Sequence, residues 1–113
     1  GLEGLLQRFG CGGCYFAFCV PGLNEMPEAE RDEAVNAACT ALENYVRNHA
    51  EGHCVDFIGR AVGRFHVYVD FIAYDIRAVC NAAFEYFENY DTTFAAFQTY
   101  RRHVAWYNMK KQK

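Results

Sequence analysis

Residues 65–90 read FHVYVDFIAYDIRAVCNAAFEYFENY, and the fold turns on how this run is taken. Its polar members Asp70, Arg77, Asn81, Glu85 and Glu88 keep to a narrow stripe. Phe65, Val67, Val69, Phe71, Ile72, Ile76, Val79, Cys80, Phe84 and Phe87 fill most of the rest. Taken as one element, 65–90 is a central helix, and a helix apolar on most sides must be covered on most sides. The β-branched opening Val67-Tyr68-Val69 also allows an extended start.

Upstream, residues 26–50 read as an amphipathic helix. Pro27 suits a first turn, and the acids around it suit the positive end of the helix dipole. Val35, Ala38, Cys39, Leu42, Tyr45, Val46 and His49 fall on one stripe. Arg47 and His49 stand near the end, and Gly52 offers a stop. Residues 54–64 read as a shorter helical piece weakened by Gly59 and Gly63. Downstream, Asp91-Thr92-Thr93 offers an N-cap for a last helix over 93–110, with Phe97, Tyr100, Val104 and Tyr107 on one stripe. Residues 1–24 are Gly-rich and read as an irregular arm. The expectation is an all-α fold, a single domain over 1–113 with three or four helices and that arm.

Six cysteines in 113 residues supply the other half of this expectation. Their spacing is uneven and lacks the paired CxxC of a structural zinc site. Cys11, Cys14 and Cys19 lie in the arm; Cys39, Cys54 and Cys80 lie on or beside three helical segments. Of the fifteen possible pairings, those joining arm to helix are favoured, each stabilising by roughly 3–5 kcal/mol in the chain-entropy model. A Cys39–Cys54 staple is the main competitor. Cys11-Gly12-Gly13-Cys14 has thiol-exchange spacing, but flanking glycines and the absence of a βαβ pattern favour a structural role. Three disulfides imply an oxidising compartment. A chain opening Gly1-Leu2-Glu3, without methionine, is expected to be the mature form of a secreted, extracellular protein.

Composition excludes several functions. No serine occurs, which removes serine hydrolases, and no Asn-x-Ser/Thr site exists. The longest uncharged stretch, Phe9 to Asn24, is broken by glycines and Pro21, so no transmembrane segment is expected. Net charge is −3, which gives no pull toward nucleic acid. His49, Glu51, His53, Cys54 and Asp56 gather metal-capable groups, yet Gly52 ends the helix between the histidines, and no metal or cofactor is expected. No nucleophile–base pair can be placed, so no catalytic residue is assigned.

The aromatic content is high: ten Phe, eight Tyr and one Trp. Tyr68, Tyr74, Tyr86, Tyr90, Tyr100 and Tyr107 are too many to bury with every hydroxyl bonded, so several should reach the surface. Tyr100, Arg101, Arg102, Trp106 and Tyr107 combine rings with guanidinium groups and form the candidate binding surface. The functional expectation is a secreted, non-enzymatic binding protein acting on an extracellular protein target, in the manner of a toxin, pheromone or hormone. A carrier of an apolar small molecule or lipid is the alternative, and a small secreted metal-dependent hydrolase the second. Uncovered rings among Tyr68, Phe71, Tyr86, Tyr90, Phe94 and Trp106 further predict a homodimer.

Overall fold

The computed structural model of the chain describes residues 12–99 and 107–109. It overturns the all-α expectation. Strand β1 (Gly12–Phe18) leads through a short 3-10 turn (Leu23–Glu25) to helix α1 (Glu28–His49). Strands β2 (Val55–Val62) and β3 (Val67–Ala73) follow, then helix α2 (Ile76–Asn89), strand β4 (Ala95–Thr99) and the short β5 (Tyr107–Asn108). The sheet runs β2-β3-β1-β4-β5 and every pairing is antiparallel. Strand, helix, two strands, helix and strand in this order make the split βαββαβ arrangement of ferredoxin-like folds.

The decisive run divides in two. In β3, Val67, Val69, Phe71 and Ala73 are buried while Tyr68, Asp70 and Ile72 are half-buried. That is period two, the signature of a strand with one face on the core. Tyr74-Asp75 breaks the run, and the Asp75 carboxylate accepts the Ala78 N–H at 3.1 Å to open α2. The expected helix 65–90 is therefore a strand followed by a shorter helix. The expected helix 54–64 is β2, turned back onto β3 by residues 63–66, where Gly63 N–H donates to the His66 carbonyl at 2.8 Å. A Cβ at Gly63 would come within 2.9 Å of the Tyr68 ring, so a larger residue there would have to displace that ring.

The described part of the expected 93–110 helix is extended as β4 and β5. Thr92 does not cap a helix: its hydroxyl lies 2.6 Å from the Cys19 carbonyl and 3.2 Å from the Phe94 carbonyl, tying the approach of β4 to the end of β1. The helix expected over 26–50 is present as α1. Val35, Ala38, Cys39, Leu42 and Val46 are its buried apolar side chains, and Gly52 lies just beyond it at φ +71°.

One core lies between the sheet and the two helices. Phe16 of β1 stacks on Phe71 of β3 at 4.5 Å and meets Phe97 of β4 at 6.2 Å and Phe87 of α2 at 6.3 Å. Leu42, Val46, Val79 and Ala83 close it from the helices. Burial of this kind contributes roughly 25 cal/mol per Å² of apolar surface.

The disulfide framework is also corrected. Cys14, Cys19, Cys39, Cys54 and Cys80 are free thiols, and Cys11 lies outside the described residues. The expectation treated residues 12–18 as loose chain in need of staples. They are the central strand of the sheet, paired on both sides. Cys14, Cys39 and Cys80 then serve as small apolar side chains in the core. Among the described residues, no helix is long and apolar enough to cross a membrane.

Candidate functional site

The expected surface of Tyr100, Arg101, Arg102 and Trp106 lies outside the described residues, as does the side chain of Tyr107. Another surface emerges instead. Four large apolar side chains among the described residues are more than half exposed: Ile58 and Val62 at 58%, Phe65 at 71% and Tyr74 at 51%. All four belong to the β2–β3 hairpin and its immediate continuation.

Local structure explains each exposure. Between Phe57 and Gly59 the β2–β3 register shifts, leaving Ile58 as the extra residue of a bulge. Val62 closes β2 opposite Val67, at the end of the strand. Phe65 stands in the turn, with the Arg64 guanidinium in cation–π range at 5.6 Å from its ring centre. Tyr74 follows β3 and donates its hydroxyl to Asp56 Oδ2 at 2.7 Å.

Charged contacts hold this edge in place. Arg60 of β2 donates to Glu43 Oε2 of α1 at 2.8 Å and to Thr40 Oγ1 at 3.1 Å, with Asn36 Oδ1 at 3.4 Å. Glu43 is buried, and its carboxylate also has Arg47 at 3.7 Å. The Glu43 carboxylate raises the Arg60 pKa, because the charged form is the bonded one.

The histidine-rich stretch forms no common site. His49 Nδ1 lies 2.9 Å from the Tyr45 carbonyl and its ring stacks on Tyr45 at 3.8 Å. His53 Nε2 instead meets Asp56 Oδ1 at 3.1 Å, beside a recess of about 260 Å³ that also includes Arg47 and Phe57. A cleft of about 460 Å³ lies at the other end of β1. Cys19, Glu25, Arg64, His66, Asp91, Thr92 and Thr93 help to line it. There the Cys19 thiol donates to the Phe65 carbonyl at 3.5 Å.

The tyrosines divide by position. Tyr74 is exposed, while Tyr68, Tyr86 and Tyr90 are half-buried. Phe71, expected among the uncovered rings, is fully buried in the core. Sequence reasoning missed Ile58, Val62 and Phe65 as surface residues. The signal for them was the pair of β-rich runs 55–62 and 67–73 separated by a short turn with Gly63.

Comparison with family models, with curated proteins and with solved structures gives no match. The ferredoxin-like arrangement hosts many unrelated activities, so function has to be read from the surface itself.

Proposed function

We propose that the chain is a non-enzymatic binding domain that engages a protein target through the β2–β3 hairpin. The observation that carries this reading is that Ile58, Val62, Phe65 and Tyr74, each more than half exposed, all lie along one hairpin, with Phe65 at its turn and Tyr74 at its open end. Scattered exposed apolar residues are ordinary, whereas a grouping with Arg and Tyr beside it has the composition of a protein interface. The hairpin edge also presents the outer backbone groups of β2, which a partner strand can pair with.

The hairpin is balanced in charge, Asp56 and Asp70 against Arg60 and Arg64, while the body behind it is acidic. Between residues 12 and 99 stand thirteen carboxylates against five cations: Arg31, Arg47, Arg60, Arg64 and Arg77. Nucleic acid fits less well. The second sheet face carries Tyr15 and Tyr68 with ring centres 5.7 Å apart, which could stack bases. Asp70 lies on that face too, and an acidic body repels phosphate. The carrier reading is less favoured: the 460 Å³ cleft sets Glu25, Arg64 and Asp91 among Val20, Leu23, Phe65 and Val67, a mixed lining rather than an apolar one. A homodimer through the same β2 edge is a second reading, supported by the outward backbone groups of that strand. Free thiols at the described cysteines remove the disulfide argument for an extracellular location, which stays a proposal.

The test is quantitative capture from an extract of the source cells, with Phe65→Asp plus Val62→Asp beside the unaltered chain. A partner enriched by the unaltered chain should fall by roughly tenfold with the variant, the loss of one interface hot spot. Partners retained equally by both would overturn the reading. Sedimentation of both proteins at equal concentration separates the dimer from the heterologous complex.

A further inference from the structure

The two helices carry matched aromatic pairs. Tyr45 and His49 stand at i and i+4 on α1, and Tyr86 and Tyr90 at i and i+4 on α2, so each pair shares one side of its helix. The pairs meet across the helix–helix groove: Tyr45 lies 5.4 Å from Tyr86, and Tyr86 stacks on Tyr90 at 5.4 Å. His49 stacks on Tyr45 at 11° between ring planes, which fixes that ring. Tyr90 is held from below by edge contacts to Phe18 and Phe87. A depression of about 220 Å³ lies over this row, lined by Tyr45, Tyr86, Asn89 and Tyr90.

The rim is acidic. Burial first, then the Glu85 carboxylate beside the Tyr45 hydroxyl and the charge of Glu88, raise the Tyr45 pKa. Glu85 and Glu88 are exposed. Asn89 donates its side-chain amide to the Glu85 carbonyl at 3.2 Å, which leaves its side-chain oxygen as an acceptor. Ring faces present negative quadrupole, and the rim adds carboxylates and an amide oxygen. The three tyrosine rings and the acidic rim suit a cation, and ring faces favour one that is poorly hydrated.

We infer that the groove formed by Tyr45, Tyr86, Tyr90 and Asn89, with Glu85 and Glu88 at its rim, binds an N-methylated ammonium group. The site uses none of the hairpin residues and stands or falls independently of them. Inorganic cations of the same charge hold their water tightly, and stripping it costs more than the rings return, whereas a methylated ammonium is weakly hydrated.

The probe is tetramethylammonium chloride, titrated into the full chain while tyrosine ring resonances are followed by NMR. Saturable shifts are expected at Tyr45, Tyr86 and Tyr90, with none at the exposed Tyr74. Tyr86→Leu should weaken binding roughly tenfold, the value of a desolvated cation–π contact. If that variant is not folded, Glu88→Gln serves, because the side chain is exposed; it should weaken binding roughly twofold to threefold. Equal shifts from potassium chloride at the same concentration, or variants that bind as the unaltered chain does, would overturn the assignment. A trimethyl-lysine peptide binding more tightly than choline assigns the ammonium to a modified protein; the reverse order assigns it to a free metabolite.

Discussion

Strands β2 and β3 are paired along most of their length, yet they meet different surroundings. β3 lies between two strands and buries every second side chain to 1% exposure or less, with Phe71 at 0%. β2 is the edge strand, and its outer half is exposed from Arg60 onward. One ladder of backbone hydrogen bonds thus supports two kinds of surface. Burial follows from what covers a strand, not from how apolar its residues are: Val62 and Val67 are partners in register and of similar chemistry, and only Val67 is buried. Stability is concentrated in β3, and the proposed reading leaves recognition to β2.

The largest effect should separate two phenylalanines of the same hairpin. Phe71→Ala removes a ring stacked on Phe16 and in contact with Phe57 and Phe97, and should cost about 3–5 kcal/mol in urea unfolding. Phe65→Ala removes a ring that is 71% exposed and should shift stability by no more than about 0.5 kcal/mol. Comparable costs would mean that the hairpin edge belongs to the core, and the division between the strands would fail.

A smaller effect concerns pH, and it probes the covered side of the sheet. Burial pushes the thiols of Cys14, Cys39 and Cys80 up from 9.0, Cys39 to about 11 and Cys80 to about 12, and Cys80 adds to the effect on Cys14. The folded state therefore keeps these protons after the unfolded chain has released its own. Stability is full below pH 9 and falls as pH rises above it, by about 1 kcal/mol per buried thiol at pH 10. Melting temperature should drop between pH 9 and 10.5, and Cys80→Ala should flatten the slope. At pH 8 a thiol reagent should modify half-exposed Cys19 well before these three. A flat melting temperature across that window would contradict the burial of the thiols.

Some of this was legible in the sequence. Helix α1 was, because its apolar residues recur at helical spacing and acids crowd its first turn. The β3 period was obscured by Tyr68 and Ile72, apolar residues on the half-buried face, which made the run look apolar all round. The β4 region was misread because Asp91-Thr92-Thr93 looks like a helix cap, while Thr92 is engaged with the carbonyls of Cys19 and Phe94. That tertiary contact has no local signature. The cysteines were taken for staples because of their number, and only the packing of β1 shows why thiols suffice. The hairpin patch could not be foreseen once its residues were assigned to helices.

The smallest expected effect lies at Asp75, where the decisive run changes from strand to helix. β3 ends at Ala73 and α2 starts at Ile76. Tyr74 N–H donates to the Cys54 carbonyl at 2.7 Å, which holds the end of β3 against the start of β2. Asp75 then takes extended backbone at φ −135°, and its carboxylate accepts the Ala78 N–H, satisfying one of the donors a helix start leaves open. Asp75→Ala should cost about 1 kcal/mol, and Asp75→Asn should recover most of it, because the amide oxygen can accept the same bond. The Asp75 charge also helps to raise the Cys54 thiol, after burial. Both variants should therefore ease Cys54 ionisation, while only the alanine lowers stability. If Asp75→Asn is as destabilising as Asp75→Ala, the carboxylate acts there through charge rather than as a cap. If neither variant changes stability, the strand-to-helix boundary is set by Tyr74 and the Cys54 carbonyl alone.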